Sequence, residues 1–237
     1  MLFIYVRHGA PIYDPDSLTP LGHRQAEAVG KRLALYGLDR IYASTSARAI
    51  QTAKPAAELL GKEITELDFA NEGHAWRDLT AMTDSGKRDW AFDIPRYKKL
   101  FLSNEIRSLG KEWYKHPAFS DTDFEKGIER IRRESDAFFA SLGYEHDDEN
   151  NCYNAVRPND ERVAMFAHGG FGFAFISHIL DIPYPMFATK FDMCHSGMTV
   201  IDFSGNDVVY PRLLQYSSDS HLYKEGIMTG YNNRIRF

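Results

Sequence analysis

The stretch Leu2–Pro11, LFIYVRHGAP, constrains the fold of this chain more than any other. Leu2–Val6 is a short apolar run rich in β-branched and aromatic residues, and it stops abruptly at Arg7, His8 and Gly9. A buried parallel strand ends in this way when the edge of its sheet carries a site. Arginine offers a charged planar fork for phosphate, and neutral histidine offers a nucleophile or a proton carrier. We expect the first strand to end in residues that bind a phosphate.

Two later segments repeat this arrangement. Ser44–Ala53, STSARAIQTA, follows the short apolar segment Arg40–Ala43, and the sequence FAHGG closes another, Val163–Ala167. Three separate strands would then each end in residues able to bind a phosphate. Ligands of parallel sheets collect beyond the carboxyl ends of the strands. The sequence therefore predicts one anion site shared by the three segments.

The order of the elements predicts the fold class. Thr19-Pro20 begins a helix that Gly37 ends, Ser44–Ser46 leads into a second helix that runs towards Leu60-Gly61, and Glu63–Leu67 is a third short strand. Strands that alternate with helices favour a parallel sheet covered on both faces. After Arg162–Ala167, a helix would run from His168 to about Leu180.

Near the carboxyl end we expect Gly197–Phe203 and Val208–Leu213 to form a hairpin around a Gly205-Asn206 turn. One of these two strands should run antiparallel to the rest of the sheet. The segment Ser220-His221-Leu222 is expected to have a structural role.

The composition changes between residues 76 and 161, which we interpret as an inserted cap within a single domain of residues 1–237. A helical stripe from Phe124 to Leu142 and a surface hairpin or loop in Tyr144–Glu161 are expected there. Between Trp76 and Pro117 nine basic and six acidic residues give a charge of +3, in a chain of net charge -5. Such a cap would suit an anionic or aromatic organic phosphate, or it packs its aromatic side chains inward.

These ordered motifs, RHG, SARAIQTA, a glutamate at 72 and the late His168-Gly169, resemble those of the histidine phosphatase superfamily, the phosphoglycerate mutase-like branch 1. The resemblance covers roughly residues 1–73 and 162–222. It implies a three-layer α/β/α sandwich with a mostly parallel sheet and one antiparallel strand. It also implies that His8 is the nucleophile and that Arg7, Arg48 and His168 form the phosphate pocket. The amide of Gly169, at a helix start, would add a fixed donor.

Glu72 lies where the resembled family places its proton donor. Burial raises the pKa of such a carboxyl group, while neighbouring arginines lower it. Asp78 is the reserve candidate for this role.

Three functions remain open. The first is a metal-independent phosphomonoester hydrolase that acts through a phosphohistidine, and the second is a phosphoglycerate mutase-type phosphotransferase. The third is an inactive protein that binds phosphorylated ligands, although this chain keeps both His8 and Glu72. Where mutases typically carry an acid-threonine pair and an asparagine, this chain has Ala10-Pro11 and Asp14. An acid beside a phosphate is unfavourable, which favours hydrolysis.

Composition and net charge argue against other classes of protein. A net charge of -5 favours neither nucleic acid nor an anionic membrane as partner, so a small phosphate ester is the expected partner. No apolar run approaches the length of a membrane span, and the first ten residues lack the features of a leader. Two cysteines form no disulfide framework, and the histidines outside the motifs show no metal-ligand spacing. We therefore expect a soluble cytoplasmic protein without metal or cofactor.

Overall fold

The computed structural model of the protein describes residues 1–231. Its strands are β1 Leu2–Arg7, β2 Pro11–Tyr13, β3 Asp16–Leu18, β4 Arg40–Ser44, β5 Ile64–Leu67, β6 Thr80–Met82, β7 Arg88–Trp90, β8 Tyr144–Asp147, β9 Cys152–Ala155, β10 Arg162–Ala167, β11 Met198–Asp202, β12 Val208–Val209 and β13 Arg212–Ser218. Its α-helices are α1 Pro20–Tyr36, α2 Ala47–Leu60, α3 Glu72–Leu79, α4 Pro95–Phe101, α5 Asn104–Ser108, α6 Phe124–Ser141, α7 Gly169–Ile179, α8 Tyr184–Ala188 and α9 Ser220–Lys224. Short 3₁₀ turns lie at Asp68–Ala70, Gly110–Lys115 and Pro117–Phe119.

The central sheet has six strands in the order β13-β11-β1-β10-β4-β5. The strands β1, β10, β4 and β5 are parallel neighbours, β11 runs antiparallel to β1, and β13 runs antiparallel to β11. The sheet therefore contains one strand that opposes the others. The predicted α/β class, with a mostly parallel sheet and one antiparallel strand, is confirmed.

The two faces of β1 are buried under different helices. Phe3 and Tyr5 join a core that includes side chains of α6 and α7, whereas Ile4 and Val6 join a second core with side chains of α1 and α2. Because successive side chains of a strand point to opposite faces, a continuous apolar run needs a helix layer on each side. This alternation produces the three layers of the sandwich.

The segment between β5 and β10 contains α3 to α6 and the antiparallel pair β8 and β9. The predicted helix after Phe124 and the predicted hairpin are both confirmed. Part of this segment belongs to the sandwich, because the α6 rings of Phe138 and Phe139 contact Phe3, with centroids 6.1 and 5.1 Å apart. Trp113 is buried in an aromatic cluster, whereas Trp90 lines the two cavities described below.

The predicted hairpin of Gly197–Phe203 and Val208–Leu213 is wrong in its second strand. Val208–Val209 pairs with β9 in a separate small sheet, and the partner of β11 is the later strand β13. Pro211 lies between the two short strands and has no N–H to continue a ladder, so the chain changes partner there. Among the helices of residues 1–231, none has the length and apolar character that crossing a bilayer requires.

Candidate active site

Three adjacent strand ends bring the predicted residues together. Arg7 is the last residue of β1 and His8 follows it, His168 follows β10, and Ser44 ends β4. These strands are parallel and contiguous in the sheet, so their carboxyl ends lie side by side. The rings of His8 and His168 are 5.2 Å apart between centroids. The structure thus places together residues that are 160 positions apart in the chain.

The SARAIQTA segment holds this region as well as supplying Arg48. The Thr52 hydroxyl accepts a hydrogen bond from the Gly9 amide at 3.0 Å, and the Gln51 side chain accepts one from the Leu18 amide at 2.8 Å. At Gly9 the chain passes so close to α1 that a Cβ would lie 2.6 Å from the Gly22 carbonyl oxygen. The loop after β1 is therefore fixed by α1 and α2.

His8 is held as a neutral imidazole. Its Nδ1 lies 2.7 Å from the Gly9 carbonyl oxygen, which can only accept, so Nδ1 carries the proton and Nε2 the lone pair. The residue is 1% exposed. Burial, together with the charge of Arg7, lowers the pKa of His8 well below its usual value. A neutral imidazole with a defined lone pair can act as a nucleophile.

His168 is neutral in the opposite tautomer. Its Nδ1 lies 3.1 Å from the Arg48 Nη2, which can only donate, so Nδ1 accepts and Nε2 donates to the Ser44 hydroxyl at 2.7 Å. Burial, followed by the neighbouring His8 and Arg48, lowers the pKa of His168 well below its usual value. Its backbone is fixed by the buried Tyr5 hydroxyl, which donates to the His168 carbonyl at 2.6 Å.

The two predicted arginines lie at the same site. Arg48 donates from Nη1 to Asp16 Oδ1 at 2.7 Å and from Nη2 to Glu72 Oε2 at 3.4 Å. Arg7 donates from Nη1 to the Met193 carbonyl and from Nη2 to the His195 Nε2, the latter at 3.2 Å. Among the described residues, the buried Nε atoms of both arginines have no hydrogen-bond partner. Two guanidinium groups with unused donors form a site for an anion.

Glu72 begins α3 and reaches the amino end of α7. Its Oε1 accepts a hydrogen bond from the Gly170 amide at 2.8 Å, and its Oε2 lies 3.6 Å from the His168 Nδ1. Burial raises the pKa of Glu72 above its usual value, although Arg48 and the Gly170 amide oppose that rise. A carboxyl group with a raised pKa at an anion site is suited to donate a proton.

The other two predicted candidates lie differently. Gly169 is the first residue of α7, where a Cβ would lie 3.3 Å from the Arg7 Nε. Asp78, the reserve donor, is buried in ion pairs with Arg77 and Arg130. Burial alone would raise the pKa of Asp78, but the two arginines outweigh it and lower the pKa. A lowered pKa favours the ionised carboxylate of Asp78, which has no proton to donate.

The structure adds Asp16, Ser44 and His195 to the site. Sequence reasoning expected Asp14 to be the acid near the phosphate. In the β2–β3 hairpin Tyr13 pairs with Asp16, which leaves Asp14 exposed in the turn and turns Asp16 towards Arg48. Ser44 is the first residue of STSAR, four positions before Arg48, and this spacing is a signal that the sequence contains. His195 follows no motif of its own.

His195 lies on the loop before β11 and adjoins His8, with ring centroids 5.6 Å apart. Burial and then the charge of Arg7 lower the pKa of His195 to about 3. The loop is supported from the carboxyl end of the chain, since the Ser196 hydroxyl and the buried His221 Nε2 are 2.9 Å apart. In turn the Ser196 amide donates to the His8 carbonyl at 3.1 Å.

Two adjoining cavities open from this site, and they share Tyr13, Glu72 and Trp90. We call the first, of about 400 Å³, the polar chamber; it is lined also by Arg7, Asp93, Lys98, Lys190 and Asp192. We call the second, of about 490 Å³, the aromatic chamber; it is lined also by Arg48, Trp76 and Asp89. Because Glu72 lines both, a ligand bound at the arginines can extend from Glu72 into either chamber.

His8, Glu72 and His168 also form a set whose ligand atoms lie within 4.8 Å of one another, a spacing that could hold a metal ion. The guanidinium groups of Arg7 and Arg48 lie beside this set and oppose a bound cation. The charge of the surroundings therefore suits an anion better than a metal.

Fold and site together define an α/β protein with an anion-binding cluster at the carboxyl edge of its parallel sheet. The model of the histidine phosphatase superfamily, branch 1, matches residues 3–98. Residues 3–98 are therefore similar to that superfamily, and the resemblance predicted from the motifs is confirmed. No protein of curated function matches the chain in sequence.

Solved structures with the same fold extend over nearly the whole chain. A phosphoserine phosphatase from Entamoeba histolytica, in complex with 3-phosphoglyceric acid, is 19% identical with a TM-score of 0.59, covering 93% of this chain and 98% of that one. A mycobacterial glucosyl-3-phosphoglycerate phosphatase, in complex with VO₃, is 18% identical with a TM-score of 0.58, covering 92% and 99%. A mycobacterial hydrolase is 20% identical with a TM-score of 0.57, covering 92% and 98%. At these identities the likeness concerns the fold.

Proposed function

We propose that the protein is a metal-independent phosphomonoester hydrolase that acts through a phosphohistidine on His8, with Glu72 as the proton donor. The observation that carries this proposal is the state of His8, a buried neutral imidazole whose Nδ1 is bound to the Gly9 carbonyl. Its Nε2 is then the nucleophilic atom. The superfamily match over residues 3–98 and the phosphatases among the structures of like fold support a phosphatase.

In the first step the His8 Nε2 forms a bond to phosphorus while the ester P–O bond breaks. The electron pair of that bond stays on the leaving oxygen, which takes the proton of Glu72 and departs as the alcohol. Arg7 and Arg48 hold the phosphoryl oxygens, and the amide of Gly169 at the start of α7 is a further donor. His168 belongs to the same pocket and orients Arg48, because its Nδ1 accepts from the Arg48 Nη2. In the second step the Glu72 carboxylate takes a proton from water as the water oxygen attacks phosphorus and the P–N bond breaks.

Hydrolysis is favoured over return of the phosphoryl group to a second position of the ligand. Asp16 already occupies the Nη1 of Arg48, so an additional phosphate group cannot use that donor and would meet a carboxylate there. Like charges at this distance repel. We infer that the phosphoryl group passes to water, and that the substrate is a small organic phosphate ester.

The nucleophile is tested by trapping. Enzyme incubated with labelled phosphate ester and quenched in acid should not keep its label, whereas alkaline quenching should preserve it, because phosphohistidine is labile in acid and stable in base. His8→Ala should carry no label. The exposed His23 serves as the control, since His23→Ala should be labelled like the parent. Equal labelling of His8→Ala and the parent would overturn the mechanism.

Metal independence is tested by chelation. Every group that we assign to charge stabilisation is an arginine, a histidine or a backbone amide, so hydrolysis of p-nitrophenyl phosphate should continue in excess EDTA. Loss of activity on chelation, restored by a divalent ion, would instead assign a metal to the set of His8, Glu72 and His168.

We further propose a reducing compartment, the cytoplasm, as the location. Cys152 and Cys194 are both buried and free in the structure, which suits a compartment that keeps thiols reduced. Cell fractionation with an antibody against the protein tests this proposal, and recovery in a membrane or secreted fraction would contradict it.

A further inference from the structure

The alcohol part of the substrate must leave the site on the side where Glu72 lies. In an in-line displacement the leaving oxygen is opposite the nucleophile, and we have assigned protonation of that oxygen to Glu72. Glu72 lines both the polar chamber and the aromatic chamber. The alcohol part therefore extends into one of these two cavities, and their linings decide its chemistry.

The aromatic chamber contains a rigid corner of two indole rings. The rings of Trp76 and Trp90 are perpendicular, at 87° with centroids 5.1 Å apart. Trp90 is fixed from behind, because it stacks on Phe92 at 5.6 Å and 13°, and Phe92 packs edge-on against Phe173. A corner of this kind offers a planar ring one face to stack on and one edge to meet.

Large aromatic surface is exposed at the mouth of this chamber. Trp76 is 38% exposed and Tyr13 is 68% exposed. The Tyr13 ring lies beside the phosphate site, with the Arg48 guanidinium carbon 5.4 Å from its centroid. Exposed apolar patches next to a polar site mark ligand-binding surfaces. Neither ring is needed to fill the protein core, which is formed by other aromatic side chains.

The charges of the two chambers separate their ligands. Of the described residues that line the aromatic chamber, Arg48 is the only basic one, and it faces the phosphate site; Asp89 adds a carboxylate. A second anionic group of a substrate would meet no cation there. The polar chamber is lined by Lys98 and Lys190 as well as by Asp93 and Asp192, so of the two chambers it is the one that offers lysine ammonium groups to a carboxylate or a second phosphate.

We propose that the aromatic chamber binds the alcohol part of the substrate, and that this part is an uncharged planar or aromatic group that lies in the corner formed by Trp76 and Trp90, stacked on the face of one indole and against the edge of the other. The inference rests on the proposed hydrolase function and specifies its substrate class. It sets this chain apart from a phosphatase that selects small anionic esters. Trp76 and Trp90 are then the specificity-determining residues.

The test compares three esters that share a primary alkoxide leaving group: naphthylethyl phosphate, ethyl phosphate and 3-phosphoglycerate. We expect kcat/KM for the naphthyl ester to exceed that for ethyl phosphate by at least about tenfold, since aromatic pairs add to the effect of area burial. Trp76→Ala should remove most of this advantage and Trp76→Phe should retain part of it. Tyr223, 90% exposed on α9, supplies the control: Tyr223→Ala should keep the parent ratio.

Equal kcat/KM for the naphthyl and ethyl esters would overturn the inference, as would a Trp76→Ala variant that slows both equally. Preference for 3-phosphoglycerate would assign the polar chamber instead. If none of the esters is hydrolysed, the proposed function fails, and binding decides the inference separately. Calorimetry with naphthylethylphosphonate and ethylphosphonate should then show the same tenfold preference, lost in Trp76→Ala; equal affinities would reject it.

Discussion

Burial and two polar contacts shift the pKa of Glu72 in opposite directions. Burial at the foot of the cleft favours the neutral acid, whereas Arg48 and the Gly170 amide favour the carboxylate. Burial is the larger effect, so the pKa of Glu72 is raised. In the proposed mechanism the same residue donates a proton in the first step and accepts one in the second, and a raised pKa serves the first of these roles.

We predict that Glu72→Gln slows the hydrolysis of alkyl phosphates by about 10²–10⁴-fold and that of p-nitrophenyl phosphate much less. An alkoxide needs a proton to leave, whereas p-nitrophenolate does not. Steady-state kinetics on both ester classes measure the difference. Equal slowing on both classes would remove Glu72 from the role of acid.

The pH profile follows from the same residue. As pH rises through the raised pKa of Glu72, the acid form disappears, so kcat/KM for an alkyl phosphate should fall on the alkaline side. The low pKa of His8 keeps the nucleophile neutral over that range. Glu72→Gln should lack this alkaline fall, and a parental profile in that variant would contradict the assignment.

The residues of the site differ in how far sequence could predict them. Arg7, His8 and His168 adjoin strand ends, and parallel strands bring such ends together in any sandwich of this class. Asp16 and His195 reach the site from a hairpin and a loop, whose conformations depend on contacts with α1, α2 and α9. No local pattern encodes those contacts, so the sequence analysis named Asp14 as the acid near the phosphate and did not identify Asp16 or His195.

Among the elements, α7 connects the site at the strand ends to the segment between β5 and β10. Its Gly170 amide holds Glu72, and the Trp90 ring packs so closely on this turn that a Cβ at Gly170 would lie 2.2 Å from the Trp90 Cζ2. The pair Gly169-Gly170 is visible in the sequence, but only the structure shows that Gly170 must lack a side chain because the Trp90 indole packs against it. A helical stripe predicted α6, and the acidic turn after Tyr144 indicated the β8–β9 hairpin, whereas no local pattern predicts that β12 pairs with β9.

Gly170→Ala should therefore shift Trp90 and loosen the aromatic chamber. An overpacked site of this kind costs about 1–3 kcal/mol of unfolding free energy, and we expect a raised KM for the naphthyl ester together with a lower midpoint of urea unfolding. Gly230→Ala is the control, because a Cβ at the exposed Gly230 meets no atom of residues 1–231 within 4 Å. A Gly170→Ala variant with parental stability would show that Trp90 adapts without cost.

At the scale of the whole molecule, a half-buried cluster of ionisable side chains links the β8–β9 hairpin to the sandwich. His146 on β8 lies 3.1 Å from Asp136 of α6 through Nδ1 and 3.3 Å from Asp181 through Nε2. The carboxylate of Asp136 also accepts a hydrogen bond from the His178 Nε2 of α7 at 2.6 Å. Lys111 completes the cluster through its ion pair with Asp181. Their positions in the sequence show no metal-ligand spacing, so the sequence does not predict the cluster, although the ligand atoms of Asp136, His146 and His178 lie within 4.8 Å of one another.

The protonation state of His146 makes the stability of the fold depend on pH. Burial alone would lower the pKa of His146, but Asp136 and Asp181 outweigh it and raise the pKa from 6.5 to about 9. A group whose pKa is raised by folding stabilises the folded state fully below its unfolded pKa and loses that contribution as pH rises through the folded value. The unfolding free energy should therefore decrease by about 1–3 kcal/mol between pH 6.5 and pH 9.

His146→Gln isolates this effect, because glutamine keeps a polar side chain of similar length but does not titrate. We expect the variant to be less stable than the parent at pH 6.5 and to approach it at pH 9, as measured by urea unfolding at both values. His23→Gln, at an exposed position on α1, should follow the parent at both. A parent and a His146→Gln variant that differ by the same unfolding free energy at both pH values would show that folding does not raise the pKa of His146. The hairpin would then be held by packing alone.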